Sequence, residues 1–141
     1  MIDQISDMLT RIRNANSVGK QEVVFPYSKV KFSLCKLLER ENWIASLELV
    51  ELSKTAKTTK ETREKFKQIK ITLKYDKNNQ PQISSIKRIS RPGQRIYVKK
   101  DNIPVVLNGL GLAVISTPQG LMTNKEARQK KVGGELFFEI W

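Results

Sequence analysis

The spacing of apolar residues predicts two amphipathic helices in the first part of the chain. The first helical face consists of apolar residues three or four positions apart, Ile2, Ile5, Leu9 and Ile12. The second face consists of Val30, Leu34, Leu37 and Leu38. This period is typical of a helix that buries one side. Ser28 precedes the second face as an N-cap, because its hydroxyl can accept from a free backbone N–H group.

A short apolar segment and two alternating segments predict three strands in the same part of the chain. They lie at residues 22–26, 43–50 and 69–75, and the last alternates strictly. Between the second and third strands, residues 53–67 carry six basic and two acidic side chains and almost nothing to bury. We therefore predict a flexible basic insert there.

Shorter elements are predicted after a polar cluster, DKNNQP, at residues 76–81. Strands are expected at residues 96–98, 112–115 and 135–141. A short helix is expected at residues 102–107, with Asp101 as its cap and Pro104 in its first turn. The pattern as a whole predicts an α+β fold of two small subdomains, in which helices cover mostly antiparallel sheets. Their predicted ranges are 1–76 and 82–141.

The strand at residues 112–115 runs into a turn, Ser-Thr-Pro-Gln-Gly, that offers candidate binding groups. These are two hydroxyls, an amide and a small glycine, carried by Ser116, Thr117, Gln119 and Gly120. Small polar groups on a tight turn can approach a ribose or a base edge closely. The alternative is a loop that only connects the strand to the next helix.

A basic helix is predicted directly after this turn. Thr123 and Glu126 have the spacing of a capping box, and the helix is expected at residues 124–131, with Gly133 ending it. It carries lysines and Arg128, which could neutralise phosphates.

A second concentration of positive charge precedes the turn. Residues 84–100 contain six basic residues and no acidic one. The binding candidates among them are Arg91, Arg95 and Lys99. Tyr97 lies between them, and an aromatic ring interleaved with cations suits a nucleic-acid surface because it can stack on a base. The alternative is an ordinary basic strand with a core tyrosine.

Two pairs of cations near the N-terminus are weaker candidates for phosphate contact. Arg11 and Arg13 project away from the first apolar face, although a solvated helix surface explains them as well. Lys29 and Lys31 lie in the first turn of the second helix, where cations oppose the helix dipole and an outside anion would compensate.

Composition narrows the class of function. The chain of 141 residues has 26 basic and 14 acidic residues, a net charge of +12, which favours a polyanionic partner. With no histidine, one cysteine and no clustered carboxylates, the sequence predicts no enzyme, no metal site and no cofactor. No apolar run is long enough to cross a membrane, and the first residues lack signal-peptide order.

Three segments of the sequence resemble one protein family. They are IDQISDMLTRIRNA near the N-terminus, SRPGQRIYVKKDNIPVVLNGLGLAVIST in the middle and STPQGLMTNKEARQKKVGGELFFEIW at the end. In order and spacing they are similar to the universal eighth protein of the small ribosomal subunit, in its bacterial or organellar form. The family usually has a shorter connection at residues 53–67.

The resemblance implies a structural protein that binds the central domain of small-subunit ribosomal RNA and aids assembly of the subunit. Carried over by motif, its RNA contacts fall on Ser116, Thr117 and Gly120, on Tyr97, and on Glu135 after the double glycine. Neighbouring ribosomal proteins would be its other partners, in the ribosome of the bacterial cytoplasm or of an organelle. The alternatives are a repressor that binds messenger RNA, a nucleic-acid-processing enzyme or a DNA-compacting protein.

Overall fold

A computed structural model describes residues 3–51 and 67–141 of the chain and shows the mixed α+β fold that was predicted. Its helices are α1 (Gln4–Ser17), α2 (Lys29–Arg40) and α3 (Asn124–Lys130). Its strands are β1 (Glu22–Pro26), β2 (Ile44–Glu51), β3 (Lys67–Leu73), β4 (Ile86–Arg88), β5 (Tyr97–Val98), β6 (Leu112–Thr117), β7 (Gly120–Thr123) and β8 (Gly134–Ile140). The described residues form two compact units, which are described separately below.

One unit comprises Thr10–Gln82 and contains an antiparallel sheet of strand order β1-β3-β2. β1 and β3 alternate, because Phe25, Ile69 and Ile71 are fully buried while their neighbours are more exposed. The alternation predicted for β2 was wrong, because Ile44 is buried, Leu49 is 45% exposed and the strand register shifts after residue 44. Lys67 pairs with Glu51 in this sheet, so its assignment to a flexible insert was wrong. The rest of the predicted insert, residues 53–66, lies outside the described residues.

Helix α2 begins as predicted but buries a different side chain. Ser28 Oγ accepts from the Lys31 backbone N–H at 3.2 Å, which is the expected cap. Lys31 is only 5% exposed, whereas Val30 is 46% exposed. The buried face follows positions 31, 34, 35 and 38, spaced as one side of a helix, and the lysine stem is long enough to join it. Burial raises the pKa of the Cys35 thiol to about 12, which leaves it protonated.

The other unit comprises Ile83–Trp141 together with the N-terminal residues up to Leu9. The sequence pattern had assigned those first residues to the other subdomain. The five-stranded sheet has the order β4-β8-β6-β7, and β5 pairs with β8 beyond the end of β4. All pairs are antiparallel. Helix α3 packs on one face of the sheet, over buried residues that include Ile115, Met122 and Leu136.

The predicted helix at residues 102–107 was wrong. Residues 102–105 have no regular secondary structure, and a short 3₁₀ turn, Leu107–Gly109, follows. Side chains of α3 satisfy the carbonyl that a helix would have used, because Asn124 Nδ2 donates to Pro104 O at 3.0 Å and Arg128 Nη2 donates to it at 3.2 Å. The prediction that Gly133 ends α3 was also wrong, because Lys131 adopts the left-handed conformation that ends it.

A buried arginine ties the N-terminus to the sheet within this unit. The Arg88 side chain is 6% exposed, and its Nε donates to Asp3 Oδ2 at 3.3 Å. Its Nη1 donates to Phe137 O at 2.6 Å. Arg88 therefore serves the fold, although it belongs to the basic run at residues 84–100. Burial alone would raise the pKa of Asp3, but hydrogen bonds from Ser6 and Arg88 hold that pKa below its ordinary value of 3.8.

We expect Asp3→Asn to lower the free energy of unfolding by about 1.5–3 kcal/mol at pH 7, because a buried guanidinium loses its counter-charge. The folded-state pKa of Asp3 is lowered, so its stabilising effect is fully present above the ordinary value of 3.8 and is lost as the pH falls below that value through the lowered folded-state pKa. Urea unfolding at several pH values measures the difference. A gap between wild type and variant that stays constant as the pH falls well below 3.8 would contradict this role.

Candidate nucleic-acid interface

Three predicted site residues lie side by side across the sheet of the unit containing residues 83–141. Tyr97 on β5 is paired with Glu135 on β8, and Glu135 is also paired with Ser116 on β6. Directly paired residues project from the same face of a sheet, with Cβ atoms about 4.5–5.5 Å apart. Strand pairing thus brings an aromatic ring, a carboxylate and a hydroxyl into one line, which we call the Tyr97–Glu135–Ser116 row.

The Tyr97 ring projects from the sheet into solvent. The residue is 69% exposed, whereas the next residue, Val98, packs against the core on the opposite face. A core position for this tyrosine, the alternative that the sequence left open, is therefore wrong. An exposed ring on a strand offers a flat surface on which a base or ribose can stack.

The Glu135 carboxylate is held in a fixed position. Its Oε2 accepts from Ser90 Oγ at 2.7 Å and from Arg95 Nη1 at 3.0 Å. Ser90 is fully buried, and its Oγ also accepts from the Ile96 backbone N–H at 3.0 Å. The hydroxyl thus joins the residue before β5 to β8, and it helps to fix a carboxylate whose side chain is 15% exposed. Sequence reasoning missed Ser90, whose only signal was its place before the Arg-Pro-Gly turn.

The hairpin between β6 and β7 separates the roles of its two hydroxyl residues. Thr117 pairs with Gly120 across a two-residue loop. Its Oγ1 donates to Gly120 O at 2.8 Å and accepts from the Gln119 backbone N–H at 3.1 Å. Because Thr117 is also buried, it was wrongly predicted as an exposed hydroxyl, and it fixes the loop instead. Ser116 is half-buried on the face of Tyr97 and Glu135, and Gln119 and Gly120 are exposed at the tip.

Two consecutive glycines let β8 approach its neighbours closely. A Cβ atom at Gly134 would lie 2.1 Å from the carbonyl oxygen of Ser116, and one at Gly133 would lie 2.3 Å from that of Val98. Both obstacles are backbone atoms of adjacent strands, so neither can move aside easily. The double glycine therefore allows β5, β8 and β6 to lie close together immediately before Glu135.

The predicted cations of this unit lie at the surface. Arg91, Lys99 and Arg128 are exposed, and Arg95 is 47% exposed at its side chain while it pairs with Glu135. Arg91 lies in the turn that its pairing with Gln94 closes. Arg128 also donates to the carbonyls of residues 103 and 104. These side chains supply the positive charge that phosphates would require.

The predicted cations of the unit that comprises Thr10–Gln82 differ in their exposure. Arg13 and Lys29 are exposed. Arg11 is exposed too, but its Nη1 donates to Val24 O at 3.1 Å on the free edge of β1 and so protects that edge. Lys31 does not fit its predicted phosphate contact, since it is buried with its Nζ 5.7 Å from the centre of the Phe25 ring.

Neither a metal-binding cluster nor a membrane-spanning helix is found in the part of the chain that the structure describes. Within residues 3–51 and 67–141, no group of three or more histidine, cysteine or acidic side chains could hold a metal ion. None of the helices in those ranges is long and apolar enough to span a membrane.

Comparison with known proteins agrees with these features. A family model described as Ribosomal protein S8 matches residues 3–141. The Small ribosomal subunit protein uS8 of Streptococcus pyogenes serotype M5 is 45% identical over 141 residues, which cover 100% of this chain and 98% of that protein. The protein of the same name from Pediococcus pentosaceus is 48% identical over the same coverage.

Proposed function

The chain belongs to the ribosomal protein S8 family, and from this premise we propose that it binds the central domain of small-subunit ribosomal RNA and aids assembly of the subunit. The family is structural and non-enzymatic, and relatives from two bacterial genera carry the name of a small-subunit protein. A structural role in a ribosome follows from membership. The finer proposal concerns which RNA is bound, and by which residues, in a bacterial or organellar ribosome.

The observation that carries this proposal is the Tyr97–Glu135–Ser116 row. Its groups are those that recognise irregular RNA: a ring for stacking, a hydroxyl that can donate and accept, and a carboxylate that can accept from a ribose 2′-hydroxyl or a base amino group. A regular A-form helix hides its base edges in a deep groove. The row therefore suits a hairpin with bulged or unpaired bases.

The acidic member of the row is compatible with an RNA partner because its charge is balanced locally. Arg95 lies 3.0 Å from Glu135, so the pair presents little net charge to a phosphate. Arg91, Lys99 and Arg128 are exposed cations of the same unit, and they can act on any RNA backbone. We infer that the row supplies specificity and that these cations supply affinity.

We expect Ser116→Ala to weaken binding of the central-domain hairpin and to leave binding of an unrelated duplex RNA unchanged. Losing the hydroxyl contact should cost about 1–3 kcal/mol where the RNA group stays unpaired. Thr117 is left intact because its hydroxyl fixes the hairpin. Filter binding with both RNAs at several salt concentrations measures the effect.

The matched control is Lys99→Ala, which removes a charge rather than a hydrogen bond. It should weaken binding of both RNAs alike and flatten the plot of log K against log salt by about one, whereas Ser116→Ala should leave that slope unchanged. Equal loss on both RNAs for Ser116→Ala, or selective loss for Lys99→Ala, would contradict the assignment of roles.

A further inference from the structure

Two aromatic rings lie together on the surface of the unit that comprises Thr10–Gln82. Tyr27 follows β1 and Phe32 lies in the first half of α2. Their ring centroids are 5.9 Å apart, with the planes tilted by 52°. Both residues are half-buried, so part of each ring faces solvent.

Each of these rings has a lysine ammonium group beside it. Lys36 Nζ is 4.7 Å from the centroid of Phe32, and Lys67 Nζ is 6.0 Å from that of Tyr27. Lys36 and Phe32 are four residues apart on α2, so any helix would bring them together. Tyr27 and Lys67 meet only through the fold, because the Tyr27 backbone N–H donates to Lys67 O at 3.1 Å. We call these four residues the Tyr27–Phe32 patch.

We propose that the Tyr27–Phe32 patch is a second RNA contact, which takes an unpaired nucleotide of the same RNA that the Tyr97–Glu135–Ser116 row binds. This inference rests on the proposed function. A base can stack on either ring, and an ammonium group now over a ring can turn to the phosphate of the stacked nucleotide. Base stacking is stronger than an exposed cation–π contact, so a base can displace the lysine from the ring.

The chemistry of the patch favours RNA over an acidic protein segment. An acidic peptide would use the two lysines but has no need of two adjacent rings. A nucleotide uses both, since every base has an aromatic face and carries a phosphate. Exposed Lys29 in the first turn of α2 adds a further positive charge near Phe32 in the sequence, and the whole chain is at +12.

The test uses the full chain and two transcribed RNAs, the minimal central-domain hairpin and a longer central-domain fragment that adds its unpaired flanking nucleotides. In the double variant Tyr27→Leu, Phe32→Leu both positions stay apolar but lose their rings. We expect it to bind the longer fragment about tenfold more weakly than wild type, with the minimal hairpin bound equally well. Lys36→Ala with Lys67→Ala should weaken binding of the longer fragment, whereas Lys77→Ala, in an exposed turn, should not.

A direct readout is photocrosslinking of the longer fragment carrying 5-iodouridine, with the crosslinked peptides identified by mass spectrometry. Crosslinks at Tyr27 or Phe32 are expected. If wild type binds the hairpin but these crosslinks are absent and the double variant binds both RNAs normally, the patch inference is overturned and the proposed function stands. Unchanged RNA binding by the double variant, together with ring-dependent binding of polyglutamate, would indicate a protein partner and overturn it too. Failure of wild type to prefer the hairpin over an unrelated duplex would instead overturn the proposed function.

Discussion

Gly134→Ala should destabilise the unit that contains residues 83–141 by about 3 kcal/mol or more. The added Cβ would lie 2.1 Å from Ser116 O and 2.8 Å from its carbonyl carbon, both in the backbone of the paired strand β6. Overpacking a well-packed interior costs about 1–3 kcal/mol even where side chains can adjust. Here β8 itself must shift, and it is the strand to which β4, β5 and β6 are all paired.

The matched control is Gly93→Ala, because a Cβ there would meet nothing within 4 Å. Its effect should stay within about 0.5 kcal/mol. Trp141 packs against the core of this unit, so urea unfolding followed by fluorescence in a Trp43→Phe background reports on it. Equal stability of the two alanine variants would show that β8 has more room than its contacts indicate.

Tyr97→Ala should weaken binding of the central-domain hairpin about 10–100-fold, with little change in stability. Stacking of a base on an aromatic ring is worth about 1–3 kcal/mol by alanine substitution. Because Tyr97 is 69% exposed, its removal leaves the core intact, and the free energy of unfolding should change by less than about 0.5 kcal/mol. Binding and unfolding are measured on the same preparation.

Tyr97→Phe separates the ring from its hydroxyl. If stacking is the contact, this variant should bind almost as well as wild type, while Tyr97→Ala does not. A loss as large for phenylalanine as for alanine would indicate a hydrogen bond from the phenol rather than stacking. A loss of stability in step with the loss of affinity would mean that Tyr97 serves the fold.

Local signals in the sequence predicted the elements well where neighbouring residues decide the structure. Ser28 and Thr123 cap their helices as expected, because a cap depends only on the next three residues. The strand Glu22–Pro26 was predicted with its observed bounds from the residues of the segment itself. The burial of Lys31 was not predicted, because it involves a neighbouring ring, Phe25, from another element.

The arrangement of the candidate site could not be predicted in the same way. Tyr97, Glu135 and Ser116 are far apart in the chain, and only the pairing of β5, β8 and β6 places them in one line. Family resemblance indicated each residue without the geometry that relates them. The place of Ser90 before the Arg-Pro-Gly turn did not reveal its role, because that role depends on the position of Glu135 on another strand. The helix expected at residues 102–107 failed because α3 binds the Pro104 carbonyl from outside.

We propose that this protein is held in the small ribosomal subunit through the Tyr97–Glu135–Ser116 row. The most direct test is to wash small subunits, assembled with either the wild-type protein or Tyr97→Ala, in high salt and measure what still co-sediments. High salt screens the phosphate contacts, so retention then depends on the contacts of the row. We predict that the wild-type protein remains bound and that Tyr97→Ala is largely released. Release of the wild-type protein, or equal retention of the two, would contradict the claim.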